Sequence, residues 1–321
     1  MTGTSGTPEG GDQVYDAVKG NWVDRHAPAG LRPYLRLSRA DRPIGTWLLL
    51  LPCWWGVLLA ANSTGWRWFD MWIIAGCGIG AILMRGAGCT WNDITDRDID
   101  GSVARTRSRP IPSGQVTAKQ AGIWLAAQAI VALFILLTFN RAAIALGIGS
   151  LALVAIYPFA KRFTYWPQIF LGLAFNWGAL LAWTAHTGSL GLPAVFLYLA
   201  GICWTIFYDT IYAHQDKEDD ALIGVKSTAL LFGTDTPHHL RLFMMASVLL
   251  MTVGIVMALI GDAGIVKMVI GIAGAWAFGW HMTWQLTRLN IDDGDTCLRL
   301  FRANRDAGLI PALFLAASLL V

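Results

Sequence analysis

Charge is scarce in this chain: Asp, Glu, Lys and Arg make up 14% of its 321 residues, where soluble domains carry about 25%. That is too little to cover a water-facing surface of this size. The first 43 residues are polar, and apolar runs recur along most of the rest, giving a mean hydropathy of +0.50. Lipid is the solvent that suits this pattern. The 16 Trp residues agree, because indole concentrates where headgroups meet hydrocarbon. The five cysteines (Cys53, Cys77, Cys89, Cys203, Cys297) show no Cys-x-x-Cys spacing, which speaks against a zinc site or a disulfide scaffold; they read as small apolar packing residues. A net charge of +3 is too small to point to nucleic acid, and no obligate protein partner is implied. The N-terminal stretch lacks the apolar core of a cleavable signal peptide. Residues 1–28 read as a flexible polar tail ahead of a single transmembrane domain over 29–321. Leu31–Asp41 reads as a short interfacial helix with an Arg-rich face.

Nine apolar segments follow, at about 44–61, 69–90, 120–139, 142–159, 168–186, 193–208, 241–260, 264–286 and 306–321. Helices satisfy their own backbone hydrogen bonds in lipid, so the expected fold is all-α and polytopic, with nine transmembrane helices around a cavity open to the cytoplasmic face. Lysine and arginine set the orientation. Twenty of the 24 fall on one side: Lys19, Arg25, Arg32, Arg36, Arg39 and Arg42, then Arg97, Arg105, Arg107, Arg109 and Lys119, then Lys161 and Arg162, then Lys217, Lys226 and Arg241, and last Arg288, Arg299, Arg302 and Arg305. Arg67, Arg141 and Lys267 fall on the other side, and Arg85 within a span. The N-terminus is therefore expected on the cytoplasmic face of a bacterial inner membrane, or the matrix face of a mitochondrial one.

Nine of the 21 acidic residues occupy two short stretches on that basic face. The first, Asn92-Asp93-Ile94-Thr95-Asp96-Arg97-Asp98-Ile99-Asp100, follows the second span and places Asn92, Asp96 and Asp100 on one side if the helix continues. The second runs from Asp209 to Asp220 after the sixth span. It sets Asp209, Asp216 and Asp220 at i, i+7 and i+11, with Tyr212 between them. Like charges at this spacing repel, so each cluster needs a compensating cation. Carboxylate oxygens select Mg²⁺, Ca²⁺ or Mn²⁺ over zinc. Mg²⁺ takes one or two carboxylates and fills its other positions with water and phosphate oxygens. Two such clusters suit a diphosphate clamped through metal ions. Solvated loop charge is the plainer reading of one cluster alone, and a poorer one of two at matching places in the two halves. Beside the first cluster, Arg105 and Arg109 are either phosphate ligands or ordinary basic flank residues.

These stretches resemble the UbiA superfamily of intramembrane aromatic prenyltransferases. Asn92-Asp93-x-x-Asp96-x-x-x-Asp100 is similar to its first signature. Asp209-x-x-Tyr212-Ala213-x-x-Asp216-x-x-Asp219-Asp220, followed by Ile223-Gly224-Val225-Lys226-Ser227-Thr228, is similar to its second. Arg39-x-Asp41-Arg42-Pro43-Ile44-Gly45 and Tyr157-Pro158-x-x-Lys161-Arg162 also resemble it, over roughly residues 35–320. Pro43–Pro52 and the form of the second motif look most like the branch acting on 4-hydroxybenzoate in ubiquinone synthesis. The resemblance implies Mg²⁺ dependence, a long prenyl diphosphate donor and an aromatic acid acceptor. It implies metal ligation by Asn92, Asp93, Asp96, Asp100, Asp209, Asp216 and Asp220. Arg162 is the candidate for the acceptor carboxylate or else a flank anchor, and Lys161 or Lys226 the candidate for phosphate. Tyr157 and Tyr212 line the cavity as cation-stabilising rings or pack at the interface. The prenyl tail is expected to leave between helices into lipid. His214 and Gln215, at variable positions of the second motif, carry no expected consequence for metal binding.

Two other enzyme readings and one transport reading stand beside this one. The same chemistry on homogentisate or dihydroxynaphthoate is the nearest alternative. A CDP-alcohol phosphotransferase motif fails because position 97 is Arg97 where an aspartate is needed. A cation transporter would carry ionisable groups near the bilayer midplane, and here the carboxylates collect at one face.

Overall fold

The computed structural model describes residues 20–102, 106–261 and 264–321. Among them, nine helices have 19 or more residues: α1 (Ile44–Thr64), α2 (Trp68–Thr95), α3 (Ala118–Leu136), α4 (Arg141–Phe163), α5 (Pro167–Thr187), α6 (Leu192–Ala213), α7 (Thr236–Leu259), α8 (Ile265–Arg288) and α9 (Gly294–Ser318). Eight candidate spans are long and apolar enough to cross a membrane. The helix outside that set is α9. It begins at Gly294, well before the expected start near residue 306. Its first half carries Arg299, Arg302, Arg305 and Asp306, which hide it from a hydropathy reading. Leu300, Asn304, Ala307, Gly308 and Pro311 nevertheless form a buried face at helical spacing.

Among the described residues the chain forms two compact units, 20–43 with 85–129, and 44–84 with 130–321. In the first, Leu37, Val116 and Ala121 form a small core with Tyr34, Ile94 and Ile111 against it. Helix Trp22–His26, capped by the Asn21 side chain, occupies part of the stretch expected as tail. Helix Arg32–Leu37 and the turn after it hold two of the expected surface arginines inward. Arg36 is buried and paired with Asp24 at 3.0 Å, and Arg39 turns to Asp93, because each finds a carboxylate. Ser38 accepts from Trp124 Nε1 (2.8 Å) and donates to Gln128 (3.1 Å), fixing this segment to α3.

The second unit is built around α1, which is apolar on all sides and correspondingly buried. Trp55, Trp204 and Phe278 meet with ring centroids 5.1–5.9 Å apart. Both indoles donate, Trp55 to the Gly308 carbonyl and Trp204 to Asn304, each at 2.8 Å. Asn304 also exchanges hydrogen bonds with Gln285, and Asn176 donates to Gly172 and Thr205, so these intramembrane amides act as interhelical glue. His186, in the last turn of α5, is buried. It bonds Asp70 at 2.5 Å and Thr64 at 2.7 Å, tying the start of α2 to the end of α5.

Close helix approach depends on glycine where α1 meets α5. A Cβ on Gly56 would collide with the Ala179 backbone carbonyl, an obstacle that no rotamer change can relieve. Gly56→Ala is expected to cost about 1–3 kcal/mol, the range for overpacking. A denaturant titration in detergent checks this, and an unchanged midpoint would show that the helices separate freely.

Candidate active site

The first acidic stretch does not continue as one unbroken helix. α2 ends at Thr95, Asp96 sits in a bend, and a short helix resumes at Arg97–Ser102. The register survives the bend. The Asp96 N–H donates to the Asn92 carbonyl at 2.9 Å and the Asp100 N–H to the Asp96 carbonyl at 2.8 Å. Asp93, Asp96 and Asp100 are buried, at 0%, 1% and 5% exposure, while Asn92 is half-buried. Burial on this scale rules out the solvated-loop reading.

Arginine meets these carboxylates. Arg39 Nη2 lies 2.6 Å from Asp93 Oδ1, and Arg109 Nη1 lies 2.7 Å from Asp100 Oδ2 and 3.5 Å from Asp93 Oδ1. Burial pushes the Asp100 carboxyl above its usual range. Arg109 opposes this, and the neighbouring Asp93 and Asp96 charges reinforce it. Two buried polar atoms in the group have no hydrogen-bond partner, Asp93 Oδ2 and Arg109 Nε. A carboxylate oxygen left in this way carries a desolvation cost of about 1–3 kcal/mol until something positive reaches it. The donor set is therefore suited to a hard cation and its anionic partner. Among the described residues no group of three or more His, Cys, Asp or Glu is placed to hold a metal ion by itself. Arg105 lies outside the described residues.

Arg39 was not expected in this role. It has φ +55°, the only positive φ of a non-glycine among the described residues. The backbone explains why. Its N–H donates to the Arg36 carbonyl and the Ala40 N–H to the Leu35 carbonyl, both at 3.0 Å, the double closure of a helix end whose left-handed position glycine usually fills. Placing arginine there costs about 1–2 kcal/mol, and the ion pair with a fully buried carboxylate offsets it. The sequence signal available was Arg39-x-Asp41-Arg42, which spacing alone does not connect to Asp93.

The second stretch also departs from a single helix. α6 ends at Ala213, a 3₁₀ turn covers His214–Asp216, and a helix follows at Lys217–Ile223, closed by Gly224 at φ +73°. The tighter turn interrupts the continuous helix that the i+7 and i+11 spacing of Asp216 and Asp220 from Asp209 assumes. All three carboxylates are half-buried. Tyr212 packs on Phe301 of α9 with centroids 4.5 Å apart, and Tyr208 lies 5.8 Å from the same ring.

Tyr157 is half-buried in α4 against the core. Lys161 and Arg162 lie in the last turn of α4, with Arg162 exposed and its guanidinium 5.2 Å from the Phe159 ring. Lys226 joins this region. Its N–H donates to the Lys161 carbonyl at 3.0 Å, and its ammonium lies 3.5 Å from the Phe163 carbonyl and 5.4 Å from the Tyr165 ring centroid. The two candidate phosphate lysines thus belong to one neighbourhood.

Long apolar helices whose ends carry buried carboxylates, arginines and aromatic rings define a class, that of polytopic membrane proteins with a charge-handling site at helix ends. The chain belongs to the UbiA prenyltransferase family, whose sequence profile matches residues 49–305 and so includes both acidic stretches. It is 47% identical over 323 aligned positions to the mitochondrial 4-hydroxybenzoate polyprenyltransferase of Rattus norvegicus, spanning 96% of this chain and 82% of the relative. The Homo sapiens protein of that name is 48% identical, over 88% of this chain and 74% of the relative. The Aedes aegypti one is 49% identical over 87% of this chain, which spans only 61% of that longer relative. Among solved structures, the fold matches a UbiA homolog from Archaeoglobus fulgidus bound to GPP and Mg²⁺, with TM-score 0.64 and 20% identity over 90% of this chain and all of that one. It also matches the apo structure of a UbiA homolog from Aeropyrum pernix K1, with TM-score 0.62 and 23% identity over 86% and 96% of the two chains.

Proposed function

We propose that this protein transfers a polyprenyl group from a polyprenyl diphosphate to the ring carbon ortho to the hydroxyl of 4-hydroxybenzoate, an early step of ubiquinone synthesis. The observation that carries this reading is identity near one half, along 96% of the chain, with a relative named for that activity. The buried carboxylate–arginine group at the end of α2 is chemistry of the kind the reaction needs.

In the reaction the C1–O bond of the allylic donor breaks and diphosphate departs. A bond forms between C1 and the ring, and the ring proton passes to a base, either an aspartate or the released diphosphate. Bound magnesium supplies charge neutralisation of the leaving diphosphate. The first stretch would hold magnesium through Asn92, Asp93, Asp96 and Asp100, and the second would hold magnesium through Asp209, Asp216 and Asp220. Arg109, with Arg105, Lys161 and Lys226, binds phosphate oxygens. Tyr212 and Tyr157 present ring faces to the developing positive charge. The donor tail runs out between helices into lipid, since a chain of many isoprene units exceeds an enclosed pocket. The basic face, with the N-terminus, is the cytoplasmic or matrix face.

Arg162 is assigned to the acceptor carboxylate. Charge-assisted hydrogen bonds contribute about 1.5–3 kcal/mol, so Arg162→Ala is expected to raise the acceptor KM roughly ten- to a hundred-fold while leaving the donor KM in place. Steady-state kinetics with each substrate varied in turn checks this. An unchanged acceptor KM would return Arg162 to the role of flank anchor.

A further inference from the structure

The end of α6 and the 3₁₀ turn after it present two faces. Asp209, Tyr212 and Asp216 follow one, while Thr210 and His214, four residues apart, follow another. This second face is buried and makes no ion pair with Asp or Glu among the described residues: Thr210 is 0% and His214 7% exposed. Thr210 Oγ1 lies 2.6 Å from Thr228 Oγ1, and His214 Nε2 lies 3.0 Å from Thr236 Oγ1. Both partners belong to the returning segment after Gly224, and both are fully buried. That segment is itself held: the Thr228 N–H donates to Gln168 at 3.2 Å, and Ser227 caps the helix Thr228–Phe232.

The hydrogen bonds fix the protonation of the ring. Thr236 donates its hydroxyl proton to the Gly233 carbonyl at 2.8 Å, so its oxygen must accept from His214, and the imidazole carries its proton on Nε2. His214 Nδ1 is buried and has no hydrogen-bond partner among the described residues. A cationic ring would add a second buried N–H with nowhere to donate, so the neutral form is the one this site accommodates. These two hydrogen bonds fasten the backbone of the acidic stretch to the returning segment.

We propose that Thr210 and His214 are positioning residues, which hold the carboxylate face of residues 209–216 in register for a divalent cation through their bonds to Thr228 and Thr236. The proposal rests on the prenyl-transfer reading above, from which the need for that cation comes.

The test uses the purified full-length chain, titrated with Mn²⁺ in the absence of substrates and followed by electron paramagnetic resonance, alongside Mg²⁺-dependent product formation. His214→Leu and Thr210→Val are expected to raise the Mn²⁺ dissociation constant about 10–100-fold, the usual effect of losing an outer-sphere support. The half-saturating Mg²⁺ concentration of turnover should rise in parallel. His214→Gln, which keeps an N–H near the same place, and Thr210→Ser are expected to recover most of the loss. Should the His214 variants fail to fold, Thr236→Val removes the same bond from outside the acidic stretch and is expected to reproduce the shift. Unchanged Mn²⁺ affinity in folded His214→Leu or Thr236→Val, no recovery in the conservative variants, or no saturable Mn²⁺ binding by the parent chain would each overturn the proposal. A parent chain that binds Mn²⁺, responds to these substitutions and transfers no prenyl group would overturn the proposed function instead.

Discussion

Asp96→Ala and Asp216→Ala are each expected to lower prenyl transfer by at least about 10²–10³-fold, the scale on which a group that stabilises developing charge acts. Negative charge grows on the diphosphate as the C1–O bond breaks, and the carboxylates are assigned to hold the cation that meets it. Asp96 is 1% exposed, so its loss also removes a buried charge that Arg39 and Arg109 help to balance from neighbouring carboxylates. Asp96→Asn separates the two effects: it keeps the volume and hydrogen-bonding capacity while removing the charge. The Asn variant is expected to fold as the parent does and to remain nearly inactive. Membranes carrying each variant, assayed for radiolabelled prenyl product, give the comparison. Activity within a few-fold of the parent in Asp96→Asn would detach this residue from the chemistry.

Arg39→Ala is expected to produce the largest loss of stability, about 3–5 kcal/mol, the range for removing one partner of a buried ion pair. Asp93 has 0% exposure, and Arg39 at 2.6 Å is its nearest cation. Arg109 stays within 3.5 Å of the same oxygen, so the lower end of the range applies if it moves closer. Backbone strain gives an internal control. At φ +55°, Arg39→Gly relieves the left-handed cost that Arg39→Ala retains, so glycine is expected to be the milder substitution by about 1 kcal/mol. Denaturant titration of the three proteins in one detergent reads this order. Alanine equal to or more stable than glycine would show that the left-handed turn is not formed in the membrane, and both variants as stable as the parent would show that the ion pair is not.

Much of the fold was legible in the sequence, for a physical reason: in lipid an apolar run of span length has few alternatives to a helix. The observed α1 to α8 each overlap an expected segment, and most boundaries differ by only a few residues. α9 was located only in its second half, because the charges of Arg299, Arg302 and Arg305 outweigh its buried Leu300, Asn304 and Ala307 in any average. The place of both acidic stretches at the ends of long helices was legible as well, since each follows an apolar span. Their detailed shape was not. The bend at Asp96 and the 3₁₀ turn at His214–Asp216 interrupt stretches that spacing treats as continuous helices.

Arg39 and His214 show the same limit at the level of single side chains. Arg39 reaches Asp93 across 54 residues of sequence, from a backbone conformation that local propensity assigns to glycine. His214 stands at a variable place in its motif and was given no consequence, yet its Nε2 finds Thr236 in the returning segment. Both roles are set by tertiary contacts, and neither residue type nor spacing announces them.

The most direct test of the central claim is product formation by membranes containing this protein, supplied with 4-hydroxybenzoate, a long-chain polyprenyl diphosphate and Mg²⁺, with and without EDTA. The account predicts a 3-polyprenyl-4-hydroxybenzoate that disappears with EDTA and returns with added Mg²⁺. Prenylation of a different aromatic acid alone would contradict the acceptor assignment, and folded protein that prenylates no acceptor at all would contradict the account as a whole.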